Sequence, residues 1–311
     1  MESEHINKIK NLSLIGISFA LYPLCVDENI IWRRKKMTKT IITVAPTGAW
    51  PSKKDNPNLP MTPKEIAEDV FDCYKKGAAI AHLHMRDDEG KGTMSKEKFE
   101  ETVSLIRAKC DIVINCTTSG DLNATDETRQ AHLKSIRPDM ASYDCGSMNW
   151  MNNSLFINHP KFLEELGCTM QEYDVKPEIE IFDAGMVYNS LYYLKKGILK
   201  APLHYQFVLG AAGGTAATVE NLVYLKGLIP EGSTWSALGI GKGHVPIMLA
   251  AIALGGHLRV GMEDNVLFAP KVLAESNAQF VTRAANLIKE SGNEVATADD
   301  AREILGLKKR G

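Results

Sequence analysis

Several features that would assign this chain to a class of protein at once are missing from it. Its six cysteines never form a C-x-x-C pair, which argues against a disulfide framework and against a cysteine-based zinc module. We therefore expect a protein of the reducing cytoplasm. Its 36 basic and 38 acidic residues nearly balance, so no strong field favours nucleic acid or an anionic membrane surface as a partner. Small-molecule chemistry fits this composition better.

Long apolar runs are missing as well. The stretch from Leu12 to Val26 is shorter than the roughly 20 residues that a membrane span needs. A basic run, Arg33 to Lys36, follows it where a signal peptide would have a small-residue cleavage site. We expect no membrane partner, and we expect residues 1–36 to be an N-terminal extension that is poorly ordered or lies over the domain surface.

No linker or low-complexity segment interrupts the chain after residue 36. Instead, a short apolar strand, a turn and an amphipathic helix follow one another eight times, which is typical of an α/β protein of the (β/α)8 TIM-barrel fold. A doubly wound open sheet is the alternative. The predicted strands are 41–45, a strand through His82 and His84, 112–116, 140–144, 178–182, 204–209, 234–238 and 257–261. The predicted helices are 62–74, 95–108, 125–135, 160–172, 184–196, 215–228, 245–254, 274–290 and 298–305. Residues 37–311 thus form one predicted catalytic barrel.

Two histidines lie at the mouth of the second predicted strand. Alternate residues of a strand point to the same face, so His82 and His84 project together. A pair of hydrogen-bonded core histidines is the alternative interpretation. Two imidazoles at strand spacing, followed directly by a polar loop, nevertheless favour a metal site at this strand end.

A third ligand is predicted in the segment after the eighth strand. In a closed barrel the second and eighth strands both flank the first, so Glu263 can meet His82 and His84. Two histidines and a carboxylate are typical of catalytic zinc, although non-haem iron(II) uses the same ligand types. Arg259, on the same strand, must be paired if it points inward, and Asp264 is its natural partner and a candidate general base. Alternatively, Glu263 and Asp264 are a helix-capping acidic pair on a solvated loop.

Six spaced motifs carry a family resemblance. They are TVAPTG at 43–48, GAAIAHLHMRD at 77–87, NCTTSG at 115–120, CGSMN at 145–149, GG at 213–214 and RVGMEDN at 259–265. From about residue 37 to the C-terminus the chain resembles the β-keto acid cleavage enzymes. The resemblance implies a zinc-dependent barrel, forming a homotetramer, that converts a β-keto acid and acetyl-CoA into acetoacetate and a new acyl-CoA.

The resemblance also implies roles for individual residues. It gives His82, His84 and Glu263 the zinc, and it makes Asp264, oriented by Arg259, the base that removes the C2 proton. It places the substrate carboxylate at four residues for which ordinary loop and cap chemistry is the alternative: Thr118, Ser119, Gly120 and Ser142.

One position departs from the family's pattern. Where the 3-keto-5-aminohexanoate enzyme has an acidic residue facing the substrate's amino group, this chain has Trp50. A cation gains less from an indole than from a carboxylate, so we expect an uncharged or apolar β-keto acid.

The glycine-rich loops after the sixth and seventh strands are candidates for coenzyme binding. Gly213, Gly214 and Lys242 are placed to cradle the phosphates of CoA, although tight turns before helices explain the glycines equally well. Two other functions remain open at this point. An H-x-H strand also opens amidohydrolase-type metal sites, and a barrel can bind a metal or ligand without catalysis.

Overall fold

The computed structural model describes residues 38–309, and the predictions made for residues 1–36 lie outside them. Eight parallel strands close into a barrel, which confirms the (β/α)8 fold. The strands are β1 (Ile42–Val44), β2 (Ile80–Leu83), β3 (Val113–Cys116), β4 (Met140–Asp144), β5 (Lys176–Ile181), β6 (His204–Leu209), β7 (Thr234–Gly239) and β8 (His257–Val260). Each strand pairs with the next, and β8 pairs with β1 to complete the ring.

Nine helices are seen among the described residues. They are α1 (Pro63–Lys76), α2 (Lys96–Arg107), α3 (Thr128–Ile136), α4 (Pro160–Glu172), α5 (Ala184–Lys195), α6 (Val219–Lys226), α7 (His244–Ala253), α8 (Asn277–Glu290) and α9 (Ala298–Leu305). Thr62 and Glu65 form the capping box expected at the start of α1. No helix within residues 38–309 is long and apolar enough to span a membrane.

Helices α3, α6 and α8 begin three or four residues later than predicted, and local hydrogen bonds explain the starts of α6 and α8. The side chain of Thr218 accepts a hydrogen bond from the backbone of Asn221, so α6 begins at Val219 rather than near residue 215. Ala274 is held in a loop because its carbonyl accepts a hydrogen bond from Asn56, and α8 begins three residues later. Local hydrogen bonds therefore set both boundaries.

Four short two-stranded ribbons accompany the barrel and were not predicted. They pair Lys39–Thr40 with Glu294–Val295, Met85–Arg86 with Gly92–Thr93, Met148–Trp150 with Ser154–Phe156, and Leu267–Ala269 with Val272–Leu273. The second and third of them follow β2 and β4, at the end of the barrel where the polar strand ends gather.

The strand alternation divides the buried residues into two populations. Apolar side chains such as Ile42, Leu83 and Ile114 join the helices in one large core. The intervening strand positions carry buried polar side chains, among them His82, Asn115, Glu178, Glu180, His204, Gln206, Ser236 and Arg259. A second apolar cluster joins the first residues of several strands to α9. The polar groups consequently lie along the inside of a barrel whose outer layer is apolar.

Candidate active site at the carboxyl ends of the strands

The structure brings His82, His84 and Glu263 together. His82 lies on β2 and His84 follows its last residue, while Glu263 comes three residues after β8. Glu263 Oε1 lies 3.3 Å from His84 Nε2 and 3.7 Å from His82 Nε2. Strand β1 separates β2 from β8, as the sequence argument required. The three side chains are therefore near enough to share one ion.

An unpartnered buried oxygen and the direction of the ring nitrogens make this cluster suited to a metal. One ligand atom from each of the three side chains lies within 4.8 Å of the others. Glu263 Oε2 is buried and has no hydrogen-bond partner, and the Nε2 atoms of both histidines face Glu263 Oε1. Buried polar groups are ordinarily hydrogen-bonded, so an orphaned atom of this kind calls for an explanation such as an ion. The residues present fit a divalent cation with nitrogen and oxygen ligands.

Two glycines allow Glu263 to reach the histidines. Gly261 has a φ of +148°, and a Cβ there would lie 2.1 Å from the carbonyl oxygen of Ala45. Gly48 has a φ of +64°, and a Cβ there would lie 2.6 Å from Glu263 Cγ. Real Cβ atoms do not approach so closely, so any larger residue at either position would displace the segment that carries Glu263.

Arg259 connects the carboxylates of the site. It is buried and donates hydrogen bonds to Glu180 Oε1 at 3.1 Å and to Glu263 Oε1 at 2.5 Å. It also donates to both oxygens of Asp264, each at 3.1 Å. The predicted pairing of Arg259 with Asp264 is therefore present, and the same guanidinium also donates hydrogen bonds to two further carboxyl groups.

Burial and neighbouring charges shift the pKa values of these groups in different directions. Burial would raise the pKa of Glu263, but His84, Arg259 and His82 outweigh burial and lower it. Burial raises the pKa of Asp264 to about 6, against the opposing effect of Arg259. Burial, assisted by Arg259, lowers the pKa of His82, which favours the neutral imidazole that binds metals.

Sequence reasoning missed two acidic residues inside the barrel. Glu178 and Glu180 alternate along β5 and are buried. Glu178 Oε1 lies 3.6 Å from His82 Nδ1, and with His82 the two carboxylates form a second group with metal-ligating atoms near one another. Their signal in the sequence was an alternating pair of charges in a short strand, which is unusual in a buried element.

A cavity of about 330 Å³ opens beside the three-residue cluster. His84, Asp144, Glu180, Arg259, Glu263 and Asp264 contribute its polar lining. The rest of the wall is mainly apolar, with Trp50, Leu122, Trp150, Met151, Phe156, Phe182, Val208 and Ile240. Its size suits a small organic substrate that presents one polar end to the cluster.

Trp50 stands at the outer part of this cavity. Its side chain is 56% exposed, and its ring stacks on Trp150 with the centroids 6.0 Å apart. The loop that carries it is held by the buried guanidinium of Arg86, which donates hydrogen bonds to the carbonyl oxygens of Thr47, Gly48 and Pro51. The loop therefore has a defined conformation against the cavity.

The four residues predicted to hold the substrate carboxylate do not all reach the cavity. Ser119 lines it. Thr118 and Ser142 bind each other, since Thr118 donates from its backbone nitrogen to Ser142 Oγ and from its hydroxyl to the Ser142 carbonyl, both at 3.0 Å. Gly120 lies next to His84, because a Cβ at Gly120 would be 3.4 Å from His84 Nδ1. These three are not among the lining residues.

The residues predicted to bind CoA lie near the cavity but outside its lining. Gly210, Ala211 and Ala212 line it, whereas Gly213 and Gly214 follow them and do not. Gly213 has a φ of +97°, and a Cβ there would meet the carbonyl oxygen of Asn149 at 1.7 Å, so close packing explains this glycine. Lys242 is exposed in the short turn Gly241–Gly243.

Comparisons with known proteins identify the family of the chain. A family model described as beta-keto acid cleavage enzyme matches residues 39–307. The chain is 43% identical to the 3-keto-5-aminohexanoate cleavage enzyme of Fusobacterium nucleatum, over 88% of this chain and 100% of that protein. It is 36% identical to the 3-oxoadipate:acetyl-CoA acetyltransferase of Cupriavidus necator, over 86% of this chain and 94% of that protein.

One solved structure of similar fold is the apo structure of ObcA, with a TM-score of 0.73 and 21% sequence identity. The match covers 81% of this chain and 66% of ObcA, so it extends over about two thirds of that structure. At this identity the likeness concerns the barrel fold alone.

Proposed function

Because the chain is an enzyme of the beta-keto acid cleavage enzyme family, we propose that it converts a β-keto acid and acetyl-CoA into acetoacetate and a new acyl-CoA. The observation that carries the proposal is the meeting of His82, His84 and Glu263, of which His84 and Glu263 line one cavity together with Asp264. The cavity also offers an apolar wall for the substrate's side chain.

Zinc is the metal proposed for the three-residue cluster. His82, His84 and Glu263 would hold it, and the orphaned Glu263 Oε2 and the closeness of the three ligating atoms support that assignment. When bound, zinc supplies Lewis-acid stabilisation of the negative charge that develops on the substrate when its C2 proton is lost.

Asp264 is the proposed base. Its carboxylate lines the cavity, and Arg259 holds both of its oxygens, which fixes the direction in which they face. Proton transfer from substrate C2 to Asp264 leaves a carbanion that forms a carbon-carbon bond with the acetyl carbonyl and releases CoA as its thiolate. The thiolate then attacks the original keto carbon, and cleavage of the C2–C3 bond yields the new acyl-CoA and, after protonation at C2, acetoacetate.

An uncharged or apolar β-keto acid is the proposed substrate. Trp50 and Trp150 stack at the cavity, and Phe156 and Phe182 pack edge-on against Trp150. An apolar chain buried against these rings gains hydrophobic stabilisation, whereas an ammonium group would have to be desolvated there without a carboxylate at position 50.

The remaining assignments are also proposals. Ser119 is the first residue to test for binding of the substrate carboxylate, because it alone of the four candidates lines the cavity. Gly213, Gly214 and Lys242 remain candidates for contacts with CoA. A cytoplasmic location and a homotetrameric assembly likewise remain predictions.

The decisive experiment is a panel of β-keto acids with straight, branched, aromatic and amino-bearing side chains, each incubated with the purified enzyme, zinc and acetyl-CoA. We expect acetoacetate and the matching acyl-CoA to appear together, fastest with uncharged side chains. Hydrolysis of amides or lactones without CoA would instead favour an amidohydrolase-type enzyme. Failure of every β-keto acid with the metal bound would leave a non-catalytic binding protein.

A further inference from the structure

We infer that Glu178 is a positioning residue that holds the His82 ring with Nε2 turned toward His84 and Glu263. The inference rests on the proposed function, because it concerns the zinc site assigned there. Glu178 would touch neither substrate nor metal, and would act through the orientation of His82.

The two edges of the His82 ring face different carboxylates. His82 Nδ1 lies 3.6 Å from Glu178 Oε1, and His82 Nε2 lies 3.7 Å from Glu263 Oε1. The two ring nitrogens lie on different edges of the imidazole. A carboxylate that accepts a hydrogen bond from Nδ1–H therefore keeps the proton on Nδ1 and leaves the lone pair of Nε2 free to bind the metal. A contact of 3.6 Å exceeds a hydrogen bond, and a ring shift of about 0.5 Å would bring it within the usual range.

Glu178 is itself held in place. Its Oε1 accepts a hydrogen bond of 2.7 Å from Asn115 Nδ2, and its Oε2 lies 3.8 Å from His204 Nε2. Its side chain is 0% exposed, as is that of Asn115. The carboxylate therefore has little freedom to move away from His82.

Such a carboxylate is difficult to explain by stability alone. Glu178 Oε2 has no hydrogen-bond partner, and burial of an incompletely satisfied charge is unfavourable. Histidines that bind metals commonly donate their second ring N–H to a carboxylate, which fixes the tautomer and the ring orientation. The position of Glu178 behind His82 is the position that this role requires.

A direct ligand role for Glu178 is the competing explanation, because His82, Glu178 and Glu180 also form a group of nearby ligating atoms. In that group Glu180 Oε1 is taken by Arg259 and Glu178 Oε1 by Asn115. Each group also keeps one unpartnered carboxylate oxygen, Glu263 Oε2 in the first and Glu178 Oε2 in the second. The ring geometry decides between them, because Glu263 Oε1 faces the Nε2 atoms of both His82 and His84, whereas Glu178 Oε1 faces Nδ1 of His82. This favours Glu263 as the ligand and Glu178 as the support of His82.

The test compares zinc affinities of the purified full chain by competition with a chromophoric chelator. Glu178→Gln keeps the shape of the side chain and removes its charge, and we expect it to weaken zinc binding about 10- to 100-fold. Glu263→Gln removes a ligand and should weaken it by a larger factor. Ser190→Ala is the matched control, since Ser190 is also a buried polar residue and bonds Val187 and Tyr205 rather than His82 or Glu178.

The unfolding free energy of each variant is measured with and without zinc, to separate metal affinity from a merely structural role. We expect Glu178→Gln to reduce the increase in unfolding free energy that zinc produces, and Ser190→Ala to leave that increase unchanged. Asn115→Ala removes the amide that anchors Glu178 and should weaken zinc binding in the same direction, which keeps the test available if Glu178→Gln does not fold.

The outcomes are distinguishable. Zinc affinity unchanged within about twofold in both Glu178→Gln and Asn115→Ala would overturn the inference. A loss in Glu178→Gln at least as large as that in Glu263→Gln would overturn it too, in favour of direct ligation. Failure of the parent enzyme to bind zinc would instead refute the metal site of the proposed function.

Discussion

Both carboxylate oxygens of Asp264 accept hydrogen bonds from the Arg259 guanidinium, each at 3.1 Å. The neighbouring residue, Glu263, shares the same guanidinium and faces the two histidines. One cation therefore fixes the proposed base and a proposed metal ligand relative to each other. This arrangement separates two roles that mutagenesis can test independently.

Asp264→Asn should abolish most of the activity and leave zinc binding intact. The amide keeps the size of the side chain but cannot accept the C2 proton, so we expect kcat to fall by about 10²- to 10⁴-fold. Steady-state kinetics and metal analysis of the same preparation provide the measurement. Asp121→Asn is the control, because Asp121 belongs to the loop after β3 and is absent from the cavity lining. A variant that retains more than about a tenth of the parent kcat would exclude Asp264 as the base.

Removal of the metal should abolish turnover without unfolding the barrel. Arg259 balances Glu263 in the absence of an ion, and the apolar core lies outside the metal cluster. We expect dialysis against a chelator to eliminate acetoacetate formation, zinc to restore it, and circular dichroism to remain unchanged. Full activity in the metal-free protein, verified by elemental analysis, is the contrary result.

Trp50→Glu should shift the substrate preference toward amino-bearing β-keto acids. A carboxylate at this position would pair with an ammonium group at the outer, mainly apolar part of the cavity, where Trp50 stacks on Trp150. We expect the ratio of kcat/KM for 3-keto-5-aminohexanoate to that for 3-ketohexanoate to rise about tenfold, equivalent to about 1.4 kcal/mol.

Trp50→Gln is the matched control for this change, since it removes the same ring without adding a charge. An equal change of the ratio in both variants would mean that space, not charge, controls the preference. A parent enzyme that already prefers the 5-amino substrate would contradict the proposed substrate class itself.

Asp69→Asn should alter how stability depends on pH. Burial raises the pKa of Asp69 to about 7, although hydrogen bonds from Asn277 and Cys73 oppose that rise. The folded protein therefore holds this proton more tightly than the unfolded chain, whose aspartate has a pKa near 3.8. The resulting stabilisation is complete below about pH 4 and is lost as the pH rises through about 7.

The variant does not titrate at this position, so its stability relative to the parent should increase between pH 5 and pH 8. Urea unfolding of both proteins at the two pH values measures the difference. The same difference at both values would show that Asp69 has an ordinary pKa.

The barrel and the meeting of His82, His84 and Glu263 were predictable from the sequence because both depend on periodicity. Because alternate residues of a strand share a face, the spacing of His82 and His84 predicted that they project together. Closure of the barrel predicted that Glu263 lies beside them. Side-chain period and strand order are properties that alternating patterns encode directly.

The cavity wall was not predictable in the same way. Trp150 and Phe156 reach the cavity on a ribbon formed by Met148–Trp150 and Ser154–Phe156, whose pairing depends on a local turn rather than on a long pattern. Glu178 and Glu180 were missed because the strand was interpreted by its apolar residues alone. Their inward direction follows only once closure of the barrel is known.

Gly48→Ala should weaken zinc binding because the added methyl group would collide with the side chain of Glu263, a proposed zinc ligand. A Cβ at Gly48 would lie 2.6 Å from Glu263 Cγ, so Glu263 must move away from the histidines. We expect zinc affinity to fall about tenfold, equivalent to about 1.4 kcal/mol. Gly197→Ala is the matched control, because Gly197 also has a positive φ, +75°, but a Cβ there would meet nothing within 4 Å. At both positions the alanine must adopt the left-handed backbone conformation, which lowers the free energy of unfolding by roughly 1–2 kcal/mol. Unfolding measurements on both variants will show this loss. Only Gly48→Ala should change the zinc affinity, and an equal effect in both variants would mean that general destabilisation, rather than displacement of Glu263, is responsible.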